Sequence, residues 1–316
     1  MRFLVSGAGG DIGQSISNIL TTYYTDAEVF GSDIHDQFLA GNLYEKVKIL
    51  PPASSPAYAD CLSECLAKEN IDIFIPTSEA ELRWLVESEI VLADLPSHCL
   101  MANAKAMKIG FDKFLTFQNL AMNGLPSPWA SIVSDSDSGA PEIPCILKSR
   151  SGAGNSSVYY IDNHEKSIYF QKLFPHYIWQ QFLPLSNGEF TCGVYRCFDG
   201  AVRVIALRRR LSSGVTSFAE VVSHPLIESL CKRIAESLDL FGSINVQLRL
   251  IENVGPMVFE INPRFSSTVG MRHAIGFKDL IWSIEEQYLG NIPSPCPNAW
   301  PSVRVGRRYQ ELFEYK

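Results

Sequence analysis

An open parallel α/β sheet over residues 1 to about 100, followed by α+β lobes with largely antiparallel sheets, is the fold class this sequence predicts. Three observations lead to it. Short apolar runs alternate with helical periodicity through the first hundred residues. From about residue 145, strand-like runs follow one another directly. Between the two regions, Gly124-Leu-Pro-Ser-Pro128 and the polar stretch 134–144 break the chain. Alternating strands and helices are what a parallel sheet with helical crossovers requires, whereas strands that follow strands pair antiparallel.

The elements follow in order. Residues 2–6 (Arg-Phe-Leu-Val-Ser) are an apolar strand that ends in glycines, and 11–22 has helical period. A second short run at 28–32 precedes an amphipathic stretch at 57–69 and the strand-like Ile71-Asp-Ile-Phe-Ile-Pro76. Beyond the break, strands are expected at 145–148, 157–161, 178–183, 190–197, 202–210, 216–222, 243–250 and 256–262. Helices are expected at 163–173, 224–238 and 278–289. The segment 291–316 is Pro-rich and then of mixed charge, and its pattern specifies no element.

Composition narrows the function classes. A chain of 316 residues that is 46% hydrophobic and 19% charged is globular and long enough for two domains. No window approaches the ~18 apolar residues of a membrane-spanning helix, and the apolar stretch near the start is too short for a secretory signal. Lys and Arg number 27 against 34 Asp and Glu, a net charge of −7, which makes a general nucleic-acid binder a poor expectation. A small phosphorylated ligand held by a few local cations remains compatible. The eight cysteines form no CxxC pair and read as reduced thiols of a cytoplasmic protein, not as metal ligands.

Two motifs bear on chemistry. Gly7-Ala-Gly-Gly-Asp-Ile-Gly13 follows the first strand at the mouth of a helix, and Asp33 ends the second apolar run. Glycines at 7, 10 and 13 suit close approach to a pyrophosphate, and Asp33 stands where a dinucleotide fold keeps its ribose-binding acid. The same glycines also suit any tight strand-to-helix turn. A nicotinamide-dependent oxidoreductase built on Gly7, Gly10, Gly13 and Asp33 is therefore the alternative reading. The only Tyr-x-x-x-Lys pair, Tyr44 to Lys48, falls too early for a short-chain dehydrogenase.

The second motif is dispersed. A strand delivers Lys148 into the small-residue loop Ser149-Arg-Ser-Gly-Ala-Gly-Asn-Ser-Ser157, whose backbone N–H groups could fold over phosphates. Lys113 stands near a helix start. Ile244-Asn-Val-Gln247 and Met257-Val-Phe-Glu260-Ile-Asn262-Pro-Arg264 are strand-like runs joined by a polar turn around Glu252-Asn-Val-Gly255. Antiparallel pairing across that turn would bring Gln247 near Glu260. Glu260 and Asn262, two apart on a strand, point the same way, with Arg264 two further along. A carboxylate with amide oxygens is hard-oxygen chemistry, suited to Mg²⁺ that also binds substrate phosphates.

In this order, Lys113, Lys148 with its Ser/Gly loop, Gln180-Gln-Phe-Leu183, Gly188-Glu189-Phe-Thr, Gln247 and Glu260-Ile-Asn-Pro-Arg264 resemble the ATP-grasp superfamily, in particular the branch of the carbamoyl phosphate synthetase large subunit. The resemblance implies a Rossmann-like pre-ATP-grasp domain at 1–100 and an ATP-grasp domain at 101–316. The latter would divide into a lid lobe at about 112–182, a catalytic lobe at about 183–290 and a tail at 291–316. It also implies roles. Lys113 and Lys148 would contact phosphate, and the loop with Ser151, Gly152, Gly154 and Ser156 would close over it. Gln180, Gln181, Phe182 and Leu183 would form the hinge against adenine, and Glu189 would hold the ribose. Gln247, Glu260 and Asn262 would ligate one or two Mg²⁺ ions, and Arg264 with Lys148 would act at the reacting phosphoryl group.

The activity implied is ATP-dependent joining of a small carboxylate, such as an amino acid, to an amine through an acyl phosphate. Candidate substrate contacts are Arg208 and Arg210, the outer members of an arginine run that share one strand face. Glu79, which follows a strand, and Arg272, just past the metal motif, complete the set. The partners expected are small molecules, with neither nucleic acid nor membrane, and a homodimer as the default assembly.

Overall fold

The computed structural model describes residues 1–88, 94–134, 139–152 and 158–308. Its first sheet is wholly parallel, with strands β1 (Arg2–Ser6), β2 (Glu28–Asp33), β3 (Lys46–Ile49), β4 (Ile73–Ile75) and β5 (His98–Cys99) in the order β3-β2-β1-β4-β5. Helices α1 (Asp11–Tyr23), α2 (Tyr58–Lys68) and α3 (Glu79–Glu87) cover it. The strand order reverses between β1 and β4, so the turns that leave these two strands face each other, as at a ligand crevice of an open α/β sheet. At Gly7, with φ of +61°, an added Cβ would lie 2.6 Å from Thr77 Oγ1 of the opposite turn.

Two more sheets follow. The smaller contains β6 (Ala130–Ile132), β7 (Cys145–Ser149), β8 (Val158–Ile161) and β9 (Tyr177–Gln181), in the order β6-β9-β7-β8 with antiparallel pairs. Cys145, Leu147, Ile161 and Trp179 form its own core, packed by Phe170 of helix α6 (His164–Leu173). Between the first sheet and this one run α4 (Ala104–Phe111), which the sequence pattern does not announce, and α5 (Lys113–Met122), whose start lies at Lys113 as expected.

The larger sheet contains β10 (Glu189–Arg196), β11 (Val202–Ser212), β12 (Val215–Val221), β13 (Gly242–Ile251), β14 (Gly255–Asn262) and β15 (Arg304–Gly306), in the order β14-β13-β10-β11-β12-β15. Period-2 alternation divides it into two faces. Cys192, Val194, Ala206, Val246 and Leu248 pack on helix α7 (Pro225–Ser237), through Ile227, Leu230 and Ile234. The other face carries the polar residues of the cleft described below. The segment after residue 290 is not a featureless tail: β15 extends the sheet, and Arg307 reaches across to Asp11 of α1 at 3.2 Å.

The helical segment 269–287 lies between the larger sheet and the first, with Met271, Phe277 and Trp282 packed on Tyr195, Ile205 and Leu207 of the larger one. Helices α8 (Val269–Ile275) and α9 (Asp279–Gln287) send Val269, Leu280 and Ile284 against Phe3, Ile16 and Ile73. Within this layer Arg272 is fully buried and paired with Asp279 at 2.6 Å. It also donates to Ser266 Oγ at 2.9 Å. Gly193 makes room for it, since a Cβ there would stand 2.7 Å from Arg272 Cδ.

Removing one member of a buried ion pair strands the other, whereas replacing both by apolar groups is often neutral. Asp279→Ala should therefore cost about 3–5 kcal/mol in urea unfolding, and Arg272→Met/Asp279→Leu should recover most of that loss. A cost below ~1 kcal/mol for Asp279→Ala would mean that Arg272 finds solvent, and the buried-pair account would fail.

Candidate active site

The cleft lies between the smaller and the larger sheets. On β7, Cys145 and Leu147 face the core of the small sheet, so Ile146 and Lys148 face the cleft. Lys148 is only 6% exposed. Its Nζ donates to the Phe259 carbonyl at 3.0 Å, bridging the two sheets, and stands 5.2 Å from the Phe117 ring. Burial drives this ammonium down to about 7, against the pull of Glu260, while Lys113 adds to the drop.

Phe259 accepts that bond because β14 carries a bulge. Gln247 pairs with Glu260 and Leu248 with Val258, so Phe259 has no partner on β13. The extra residue shifts the phase of the strand. Val258 and Ile261 both reach the core, while Phe259 and Glu260 line the cleft. The expected pairing of Gln247 with Glu260 is present.

Lys113 opens α5, whose N-cap Asp112 accepts from Phe114 N and Leu115 N. Asp112 also holds Arg150, at 2.7 Å, and the Lys113 side chain donates to Gly152 O at 2.7 Å. The stretch that follows β7 is thus tied to the start of α5. Ser151 is exposed, and Gly152 has a φ of +94°. Gly154 and Ser156 lie outside the described residues. Glu79, at the start of α3, accepts from Gly152 N at 3.2 Å and from Arg83 at 2.9 Å, which places it at the mouth of the cleft.

At the hinge, Gln181 N is committed to Trp129 O at 3.0 Å, and the Leu183 carbonyl accepts from Arg249. The Gln181 carbonyl accepts a long bond from Gln180 Nε2 at 3.5 Å, and the Leu183 N–H is the expected hinge group left open to a base. Gln180 is buried, lines the cavity, and its Oε1 has no hydrogen-bond partner. The Phe182 ring packs edge-on to Tyr160, 5.0 Å between centroids.

The strongest charge cluster was missed by sequence reasoning. Glu189 is gripped on one oxygen by Arg209 at 2.8 Å and on the other by Arg249 at 2.8 Å. Arg209 Nη2 also donates to Gln247 Oε1 at 2.7 Å. Glu189, Arg209 and Arg249 are directly opposed across three neighbouring strands, so they share the cleft face. For the same reason Arg208 and Arg210 do not: alternation turns both away. They line a wider groove of about 1020 Å³ that shares only Glu189 and Arg209 with the cavity, and Arg208 is paired with Glu220 at 2.7 Å. Arg208 and Arg210, expected as substrate contacts, thus line this groove and not the cavity, where Arg209 stands instead. Arg272 is likewise corrected: fully buried against Asp279, it presents nothing to a substrate.

Arg264 follows the metal motif, with its backbone N donating to Asn262 O at 2.9 Å and its side chain donating to Phe265 O at 3.0 Å. Burial lowers this guanidinium, and the carboxylates of Glu79, Glu260 and Asp11 pull it back up. It therefore stands where the cleft meets the crevice of the first sheet.

The glycine-rich turn has structural occupants. Asp33 Oδ2 accepts from Gly9 N at 2.9 Å and Oδ1 from Ile34 N at 2.8 Å, so both oxygens are committed. The Phe38 ring fills the space over Gly9, and a Cβ on Gly13 would stand 2.4 Å from Gly7 O. Gly7, Gly13 and Asp33 are thus explained by turn geometry and helix–strand contact.

The cavity lined by these groups encloses about 190 Å³. Among its lining residues are four cations, Lys113, Lys148, Arg209 and Arg249, against two carboxylates, Glu189 and Glu260. Among the described residues, Glu260 and the Asn262 side chain have no hydrogen-bond or ion-pair partner, so their oxygens are open to a hard cation. A buried, under-paired lysine among further cations, beside free oxygen donors and an orphaned amide oxygen, fits a polyphosphate nucleotide with a divalent ion.

Residues 174–309 match the family model described as "ATP-grasp in the biosynthetic pathway with Ter operon". No curated protein matches the sequence. N5-carboxyaminoimidazole synthetase from Staphylococcus aureus, complexed with ADP, superposes with a TM-score of 0.73 at 14% identity, over 95% of this chain and 79% of that one. L-amino acid ligase from Bacillus licheniformis gives 0.70 at 18% identity, over 90% and 73%. The chain accordingly has the ATP-grasp fold, and its residues 174–309 are similar to an ATP-grasp family model.

Proposed function

We propose that the protein is an ATP-dependent carboxylate–amine ligase that acts through an acyl phosphate. The observation that carries this reading is the cationic cavity between the two sheets of a chain whose net charge is −7. The structural neighbours with this fold include an enzyme complexed with ADP and an L-amino acid ligase. Lys113 and Lys148 would neutralise the phosphates, and the hinge groups at Gln181 and Leu183 would take the base. A substrate carboxylate oxygen would then attack the terminal phosphorus, releasing ADP. The amine would add to the acyl carbon and expel phosphate, and one proton would leave with the amide formed. An amino acid, or a similar small carboxylate, is the substrate class proposed.

Glu260 and Asn262 would hold Mg²⁺, which supplies charge neutralisation at the transferring phosphoryl group. Arg264 would stabilise charge developing at the reacting centre, and Glu79 at the cleft mouth faces it from the first sheet. The cavity is smaller than the ~300–1,000 Å³ of ordinary ligand clefts, so the small sheet has to lift for a nucleotide to enter. The Lys148 bond to Phe259 is the contact that must break first.

Mg-ATP in excess should raise the melting temperature by a few degrees, an effect that needs the metal and is lost in Glu260→Ala. Arg264→Ala should keep that shift but lower ADP release by about 10²–10³ in an amino-acid screen. Stabilisation by a nicotinamide cofactor in place of Mg-ATP would replace the ligase reading with the oxidoreductase one.

A titration follows from Lys148. Its pKa falls from 10.5 to about 7 in the ligand-free fold. Between these values the folded chain binds fewer protons than the unfolded one, so this group's contribution to stability rises with pH across the window. A bound triphosphate restores the ammonium. At pH 8, nucleotide binding should take up about one proton, measured by calorimetry in buffers of different ionisation enthalpy. The uptake should vanish in Lys148→Met; no uptake in the native chain would mean that Lys148 is already charged.

A further inference from the structure

The amide of Gln247 has one oxygen, and that oxygen is turned onto a guanidinium. Arg209 Nη2 lies 2.7 Å from Gln247 Oε1 and 2.8 Å from Glu189 Oε1, and its Nε lies 3.1 Å from the same Glu189 oxygen. The Arg209 side chain is 9% exposed, so this is a buried arrangement and not a surface pair. The nitrogen of an amide cannot ligate a hard cation, so an ion at Gln247 has to compete with Arg209 for the only usable atom.

The charge count favours the arginine. Glu189 is already held on its other oxygen by Arg249, at 2.8 and 3.1 Å, so one carboxylate is shared by two guanidinium groups. One positive charge is left over, and Arg209 presents it to the cavity that Glu260 also lines. A dication on Gln247 Oε1 would stand within a few ångströms of that guanidinium in a water-poor site, a like-charge contact. Among the described residues no group of three or more His, Cys, Asp or Glu side chains could hold a metal ion. Glu260 and Asn262 supply one carboxylate and one amide oxygen, enough for a single Mg²⁺ whose remaining ligands are phosphates and water.

We infer that this chain binds one divalent cation with its nucleotide, at Glu260 and Asn262, and that the Arg209 guanidinium supplies the second positive centre beside the phosphates. The inference rests on the nucleotide reading given above and narrows it to a one-metal site in which Gln247 is an anchor for Arg209 and not a metal ligand.

Manganese, counted by the loss of its free-ion paramagnetic resonance signal, tests this without turnover. The whole chain is titrated with Mn²⁺ in the presence of a non-hydrolysable ATP analogue whose binding is followed separately by calorimetry. One tightly bound Mn²⁺ per chain is expected for the native protein, and one for Arg209→Lys, which keeps the charge. Arg209→Met/Gln247→Glu, which removes the guanidinium and supplies a carboxylate, is expected to bind two. Two tight ions in the native protein overturn the inference whatever the variants do. A double variant that binds the analogue and still takes one ion shows that Arg209 is not what excludes the second. Failure of the analogue to bind the native chain, with or without metal, overturns the nucleotide reading itself and is distinguishable from either metal count.

Discussion

One unpaired residue sets the phase of the catalytic sheet. Strict alternation along β14 would put Glu260 on the same face as Val258, inside the core, where an unpartnered carboxylate is prohibitively costly. The bulge at Phe259 adds a residue, so Val258 and Ile261 both pack on α7 while Glu260 and Asn262 turn to the cleft. The same bulge leaves the Phe259 carbonyl without a strand partner, and Lys148 takes it. A single irregularity thus turns Glu260 and Asn262 to the cleft and supplies the acceptor by which Lys148 bridges the small sheet to the large one.

What the cleft does with its charges follows from burial. A lysine 6% exposed with one carbonyl acceptor is under-satisfied, since an ammonium offers three donors. Arg209 and Arg249 are better served, sharing Glu189 and reaching Gln247 and the Leu183 carbonyl. The site therefore has a fixed half and a movable half. The arginine–glutamate cluster joins β10, β11 and β13 into a rigid floor, while Lys148 and Lys113 rest on backbone carbonyls that a phosphate oxygen would readily replace. Preorganised charge on a rigid floor, with exchangeable contacts above it, suits a site that must close on a polyanion and release a smaller one.

Much of this was legible in the sequence because it rests on period. The short apolar runs of the first hundred residues, the hairpin that pairs Gln247 with Glu260 and the shared face of Glu260 and Asn262 are all consequences of strand alternation. Where alternation gave too little, the reading failed in definable ways. Arg208-Arg-Arg210 fixes that the outer two share a face, but which face meets the cleft depends on Glu189 and Arg249 across the sheet, partners that lie 20 and 40 residues from Arg209. Arg249 offered no local signal at all, being one charged residue on a strand that looks amphipathic. Arg272 reads in the sequence as a candidate substrate contact because nothing local reveals that its partner Asp279 lies in the next helix and its space is opened by a glycine on a distant strand. The run after residue 290 lacks an apolar pattern because β15 is a three-residue edge strand held by backbone bonds.

The three sheets do not contribute equally to opening. The first and the larger sheet are joined through α8 and α9, which pack an apolar core on each, and Arg307 with Asp11 closes the same seam. The small sheet has its own core, built on Cys145, Leu147, Ile161 and Trp179, and is joined to the rest by Ile178 and Ala130, which pack into the larger sheet's core, and by polar contacts at the cleft. Of these, Lys148 to Phe259 and Gly152 to Glu79 are single hydrogen bonds, each worth ~0.5–3 kcal/mol net. Separating shared apolar cores would expose far more surface than breaking two such bonds, at ~25 cal/mol per Å². With the apolar contact at Ile178 and Ala130 as its pivot, the small sheet is the part that would lift, and because Glu79 opens α3 beside the first sheet, lifting would uncover the cavity and the crevice beside Arg264 together. A triphosphate and a carboxylate would then enter one opening, and closing would bring both reactants to Arg264 with water excluded.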